Sequence, residues 1–254
     1  MQDKQQKKLW IEEERHAFHG WDFSHLNSRW QPGTIPWDYK SIVLQHLHPA
    51  DSLLDMGTGG GEFLLSLNHP CEKTSVTETW QPNIQLCMET LVPLGVQVYP
   101  VREDGQLPIA AENFEIVINR HAFYNLQEVR RVLKPGGLFI TQQVGSKNCI
   151  SLEARINDKP PLHPPFSLET ELPKFRECGF SVQYAAECFP ILRFFDVGAF
   201  VYWAKVIQWS FPEFSVEKNY KQLCALQDEL DQTGSLSDAE HRFIIVAQDG
   251  KKSS

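Results

Sequence analysis

No stretch of this 254-residue chain is apolar enough to cross a bilayer. The longest apolar run, residues 197–204, is closed by Asp196 and Lys205 and falls far short of the roughly 20 residues a spanning helix needs. The opening residues, MQDKQQKKLWIEEE, lack the apolar centre of a secretory signal, so a cytoplasmic location is expected. Metal or redox cysteine pairs are missing too. The six cysteines, at positions 71, 87, 149, 178, 188 and 224, make no C-x-x-C and no zinc spacing, and read as ordinary thiols of a reducing compartment. Excess positive charge is also absent. Lys and Arg number 24 against 32 Asp and Glu, a net charge of −8, which is the wrong sign for a protein that lives on phosphate backbones. There is no internal repeat, no low-complexity tract and no G-x-x-x-x-G-K-[ST] loop for a nucleoside triphosphate. Secreted disulfide scaffold, membrane protein and zinc finger are excluded, and neither DNA nor RNA is the expected partner.

What is present is material for a core. Hydrophobic residues make up 42% and charged residues 22%, and the length suits between one and two domains. Residues 52–56 (SLLDM) read as a buried strand running into glycines, with a helix beginning over 62–67. A second strand covers 74–77, and Pro82 opens a helix through Val92 at a first-turn position where its missing N–H costs nothing. Strands follow at 96–101 and 114–118. Asn125 caps a helix over 126–133, ended by the Lys134-Pro135-Gly136-Gly137 turn, and 138–143 is a fifth strand. Strands separated by helices predict βαβ units and a parallel sheet covered on both faces.

The remainder keeps this rhythm, with a helix over 168–178 stopped by Gly179 and strands over 181–186 and 242–247. Between these strands, residues 190–235 are too long for a plain connection. They hold an apolar helix over 197–208 and an amphipathic one carrying Tyr220, Leu223, Leu226 and Leu230 at spacings of three and four. The expected class is α/β, a doubly wound Rossmann-like sheet. Residues 1–40 would form an aromatic arm, and 41–254 one domain with 190–235 as a helical cap over a site. The arm holds Trp10, Trp21, Trp30 and Trp37, four of seven tryptophans, whose rings need a surface to dock on. Core packing is expected for at least two of them.

The most informative segment runs from Asp55 to Glu62, Asp-Met-Gly-Thr-Gly-Gly-Gly-Glu, between a strand and a helix. Glycines there permit a tight turn and close approach of a ligand to the backbone, and free N–H groups at the helix start favour an anionic group. The dinucleotide fingerprint G-x-G-x-x-G begun at Gly57 needs glycine where Glu62 stands. A carboxylate there would oppose a pyrophosphate, which disfavours NAD and FAD. The pattern that fits is D-x-G-x-G-x-G through Asp55, Gly57, Gly59 and Gly61.

On these residues the chain resembles the class I S-adenosylmethionine-dependent methyltransferases. Four further blocks carry the resemblance: VTE, which places Glu78 23 residues after Asp55, then EDGQLPI, FEIVINRHAFYN and EVRRVLKPGGLFITQQ. Together they cover roughly residues 50–145. The resemblance implies a seven-stranded, mostly parallel sheet with an antiparallel last strand, and S-adenosylmethionine as methyl donor. It implies that Glu78 binds the ribose hydroxyls and that Thr79 lies along the adenine. An acid, Asp104 or its neighbour Glu103, would meet the adenine amino group, with Asp104 favoured beside a glycine. Gly57, Thr58 and Gly59 would cradle the methionine moiety, and Arg29, from the arm, is a candidate partner for its carboxylate. The segments GWDFSHLNSRW and IPWDY resemble those of uncharacterised bacterial members of the superfamily.

Other residues admit two readings. Asp55 is expected to buttress the loop more than to touch ligand. Asn119 stands at the carboxyl edge of the sheet, where open α/β folds bind ligands; it is balanced between ligand contact and structure. His121 and Tyr124 are the candidate catalytic groups, His121 as a general base, with packing as the alternative for both. His16, His19 and His25 lack the carboxylate or cysteine pattern that would complete a metal site, and no metal is expected. Arg130, Arg131 and Lys134 form a basic strip whose cations suit a helix C-terminus. The expected activity is in-line methyl transfer to a small, partly apolar molecule. Its rivals are an RNA or protein methyltransferase and a non-enzymatic S-adenosylmethionine-binding regulator.

Overall fold

A computed structural model describes residues 2–18, 22–102, 105–159 and 162–251. The chain divides into two compact units. The larger comprises Pro36–Gly145, Pro165–Glu187 and Arg242–Ser254 and is built on a seven-stranded sheet. Its strands in chain order are β1 (Leu53–Met56), β2 (Thr74–Glu78), β3 (Gln97–Pro100), β4 (Phe114–Arg120), β5 (Leu133–Val144), β6 (Phe180–Cys188) and β7 (Arg242–Asp249). They lie in the order β3-β2-β1-β4-β5-β7-β6. The pairs β1–β2, β1–β4, β2–β3 and β4–β5 are parallel, whereas β7 runs antiparallel to β5. The Rossmann-like class and its antiparallel final strand are therefore as expected.

Alternation along the strands fills a core on each face. Leu54, Met56, Val117, Phe139, Phe243 and Ile245 pack on one side; Leu53, Val76, Ile116, Ile118, Ile140 and Ile244 pack on the other. That is the period-two pattern of a sheet with both faces covered. Local signals place the flanking helices. Asn125 accepts the N–H groups of Gln127 and Glu128 at the start of the helix Leu126–Val132, and a Ser167–Thr170 capping box opens the helix Leu168–Glu177.

One boundary differs from expectation. The helix ends at Val132, and β5 already begins at Leu133. Phe114 pairs with Leu133 while Ile116 pairs with Leu138, so residues 134–137 bulge from the ladder. Pro135 has no N–H to give the ladder, and Gly136 adopts a φ of +75°, which together turn a helix stop into a bulged strand.

The second unit joins Met1–Ile35, Ser146–Pro164 and Cys188–His241. The two expected helices are there, Val197–Val206 and Tyr220–Thr233, with Gln2–Arg15 and Ile150–Ile156 besides. Strands Trp30–Gln31, Ile191–Phe194 and Leu236–Ala239 form a small antiparallel sheet. Residues 197–204 are all buried, so that helix is apolar on every side because it is the unit's centre. Trp10 is buried against this core and Trp30 packs on its margin; Trp21 lies outside the described residues. No helix among the described residues is long and apolar enough to cross a membrane.

Candidate functional site

In the larger unit the strand order reverses between β1 and β4, and the carboxyl ends of adjacent strands there gather the chemistry-bearing residues. Met56 stands beside Thr77 on β2 and Asn119 on β4, and Arg120 beside Gln142 on β5. The glycine loop leaves β1 at this edge. Gly57 has a φ of +72°, and a Cβ there would overlap the Cβ of Ala122. Only glycine lets the loop lie against the turn that follows β4.

The loop is tied to β2. Gly57 and Thr58 donate to the Thr77 carbonyl at 3.0 and 3.3 Å, and Gly59 N–H donates to Glu78 Oε2 at 2.9 Å. The other oxygen of Glu78 accepts from the N–H groups of Thr79 at 2.8 Å and Trp80 at 3.1 Å. Glu78 is buried, while Thr79 and Trp80 just beyond it are exposed. An ionised carboxylate can accept about four hydrogen bonds, so one site remains for a hydroxyl. Glu78 and the Thr77 carbonyl thus brace the loop alongside Asp55.

Asp55 itself is buried, and burial pushes its pKa up to about 6, opposed by a hydrogen bond with the Thr58 hydroxyl and by the Arg120 charge and helped by the Glu78 charge. Behind the loop the Cys87 thiol donates to the Gly59 carbonyl at 3.3 Å, and burial raises its pKa to about 11.

Asn119 is a strut. It is fully buried, its Nδ2 donates to the Met56 carbonyl at 3.1 Å, and its Oδ1 accepts from Thr141 and Gln143. The buried Tyr39 phenol donates to the carbonyls of Asn119 and Ile140 at 3.1 and 3.2 Å. Tyr124 is buried as well, and its phenol donates to Glu171 at 2.8 Å. Burial and that carboxylate raise its pKa, so it serves as an anchor between helix and loop.

His121 is exposed at the sheet edge with a φ of +60°. Its N–H donates to the Gln142 carbonyl at 2.9 Å, and its Nε2 lies 3.1 Å from Gln142 Nε2. Desolvation, then the cations Arg242 and Arg120, depress its pKa to about 3. The residue still reaches solvent, but the two cations and the amide beside it favour the neutral ring at pH 7.

Arg29 lies in the smaller unit. Its guanidinium grips Asp196 through Nε at 2.9 Å and Nη2 at 2.7 Å, and Nη1 reaches Glu13 at 2.8 Å. Its charge is met twice within its own unit. His16 and His25 stack at 3.8 Å, and His25 meets Glu13 at 2.7 Å; among the described residues no three groups could hold a metal. His19, Glu103 and Asp104 lie outside the described residues. Sequence reasoning missed Cys87, Trp37 and Gln142, because their relevance depends on which strands become neighbours. Trp80 and Phe123, exposed at 52% and 74% beside the loop's two flanks, could have been found as large rings next to the motif residues.

A family model described as a methyltransferase domain matches residues 54–141, the span that holds the loop, Glu78, Asn119 and His121. No match was found among curated proteins. Solved structures share the fold at low identity. The YcgJ protein of Bacillus subtilis is 16% identical with a TM-score of 0.58, over 84% of this chain and 99% of that one. A SAM-dependent methyltransferase of Methanosarcina mazei is 16% identical with a TM-score of 0.51, over 87% and 100%. The [4+2]-cyclase SpnF is 15% identical with a TM-score of 0.52, over 96% and 92%.

Proposed function

We propose that this chain, whose residues 54–141 match a methyltransferase-domain family model, is an S-adenosylmethionine-dependent methyltransferase that passes the donor's methyl group directly, in line, to a small, partly apolar acceptor. The donor supplies a methyl group already activated on a sulfonium, so the protein needs neither a covalent nucleophile nor a redox partner. Its own task is alignment and exclusion of water, which can lower a barrier by roughly 7–11 kcal/mol.

The observation that carries the reading is the Glu78 carboxylate. It is bonded to Gly59, Thr79 and Trp80 N–H groups with one acceptor site left over, where a ribose hydroxyl would complete it. Gly57 and Gly59 would let the methionine moiety lie on the backbone, with Thr58 between them. Thr79 and Trp80 are open to an adenine, and Asp104 is proposed to meet its amino group. Asp55 would act from behind the loop and Asn119 by holding β1, β4 and β5 in register.

Net charge of −8 and the aromatic second unit support a small acceptor. The reading with RNA as acceptor loses its basic strip to internal pairing. Arg130 donates to Asp249 at 3.0 Å, Arg131 to Glu128 at 2.7 Å, and Lys134 to Glu115.

A thermal-shift panel of S-adenosylmethionine, S-adenosylhomocysteine, NAD and ATP tests the donor site. A ligand at 100 times its Kd stabilises the folded state by about 2.7 kcal/mol. The first two compounds should shift the midpoint and the others should not. Glu78→Ala should lose both responses while still unfolding cooperatively; a normal response in that variant would remove the ribose assignment.

A further inference from the structure

Which nitrogen of His121 carries its proton is decided two hydrogen bonds away, at Trp37. An indole N–H only donates, and Trp37 Nε1 donates to Gln142 Oε1 at 2.8 Å. This fixes the amide, whose NH2 then faces His121 Nε2 at 3.1 Å. An amide NH2 has no lone pair to offer, so His121 Nε2 must accept, and the ring proton sits on Nδ1. Turning the amide over would set its NH2 against the indole N–H, donor against donor. The same glutamine also holds the backbone of His121 through its carbonyl at 2.9 Å, at a left-handed φ of +60° that only firm surroundings maintain.

The ring's location gives this a use. Ala122, the next residue, abuts Gly57 of the donor loop, so His121 stands beside the proposed donor site. The charged groups acting on it are Arg242 from β7 and Arg120 from its own strand, both cations. Its Nε2 lone pair is occupied, and Nδ1–H has no partner among the described residues.

We infer that Trp37 and Gln142 are positioning residues that lock His121 as a neutral Nδ1–H imidazole, so that it meets the methyl acceptor as a hydrogen-bond donor and not as a general base. The second half rests on the methyltransferase reading; the tautomer does not. The acceptor class follows. Its reacting atom must be nucleophilic with no proton to lose, as a carboxylate or a pyridine-type ring nitrogen is at neutral pH, whereas an alcohol must shed its proton to a base. In the balance, the acceptor's lone pair forms the bond to the methyl carbon, the pair of the broken carbon–sulfur bond stays on sulfur, and no proton reaches His121.

Long-range nitrogen-15 NMR of the imidazole in the full, unliganded chain tests this, with His121→Asn used to assign the signals. The wild type should show a pyridine-like Nε2 and a pyrrole-like Nδ1, unchanged from about pH 8 to about pH 5, across the range where an ordinary histidine titrates. Gln142→Glu offers a carboxylate to both Trp37 N–H and His121 Nε2–H, so the tautomer should reverse and the ring should titrate within that range. Trp37→Phe frees the amide to turn and should give mixed tautomers, which keeps the test valid should the glutamate variant not fold. An Nε2–H tautomer in the wild type, or no change in either folded variant, overturns the inference. Because these spectra need no donor, an Nδ1–H ring in a protein that ignores S-adenosylhomocysteine would sink the methyltransferase reading alone.

Discussion

Buried in the sheet edge, Asp55 makes a prediction that depends only on its own ionisation. Its folded-state pKa, about 6, lies above the ordinary 3.8. A raised acid is protonated more readily in the folded than in the unfolded chain. It therefore costs nothing below the unfolded value, destabilises progressively as pH rises from 3.8 to about 6, and costs a constant amount above that. Asp55→Asn removes the charge. In urea unfolding its stability relative to wild type should improve through that window, by at most about 3 kcal/mol at neutral pH. A difference between the two proteins that is the same at pH 4 and pH 7 would contradict the buried, raised carboxyl. Residues of this kind were partly legible in sequence. Gly57 and Glu78 were visible because loop and strand end have a fixed spacing. The Trp37–Gln142–His121 chain was not, since its members are far apart in sequence and meet only once β4 and β5 pair. Arg29 was legible as a cation but not as one already claimed by Asp196 and Glu13.

At the scale of elements, strong local signals survived and weak ones did not. Asn125, Pro82 and Gly179 mark helix ends where their chemistry requires. The helix Gln2–Arg15 escaped notice because it is mostly polar, with Trp10 its buried anchor. Strands Ile191–Phe194 and Leu236–Ala239 are too short to show a period, and they exist because they pair with each other. The apolar helix Val197–Val206 was plain in sequence, and its role can be measured. Phe200 is fully buried and meets Phe194, Trp203, Phe211 and Phe214 edge-on or tilted. Phe200→Ala should destabilise its unit by about 3–5 kcal/mol, read from tryptophan fluorescence in urea. A loss below about 1 kcal/mol would mean the aromatic cluster is not a close-packed core.

For the whole molecule, the seven-stranded order follows from alternating strands and helices, and it reverses between β1 and β4, the kind of crevice in which open α/β sheets bind ligands. The fold alone does not choose the reaction, since a [4+2]-cyclase shares it. What supports the methyl-transfer reading is the set of groups at that reversal, a glycine cradle and a carboxylate with one acceptor site left. A crystal structure of the full chain grown with S-adenosylhomocysteine measures this most directly. A ribose hydroxyl should donate to Glu78 and the amino-acid end should lie over Gly57 to Gly59. The same compound bound with its ribose away from Glu78, or anywhere but this edge of the sheet, would contradict the assignment.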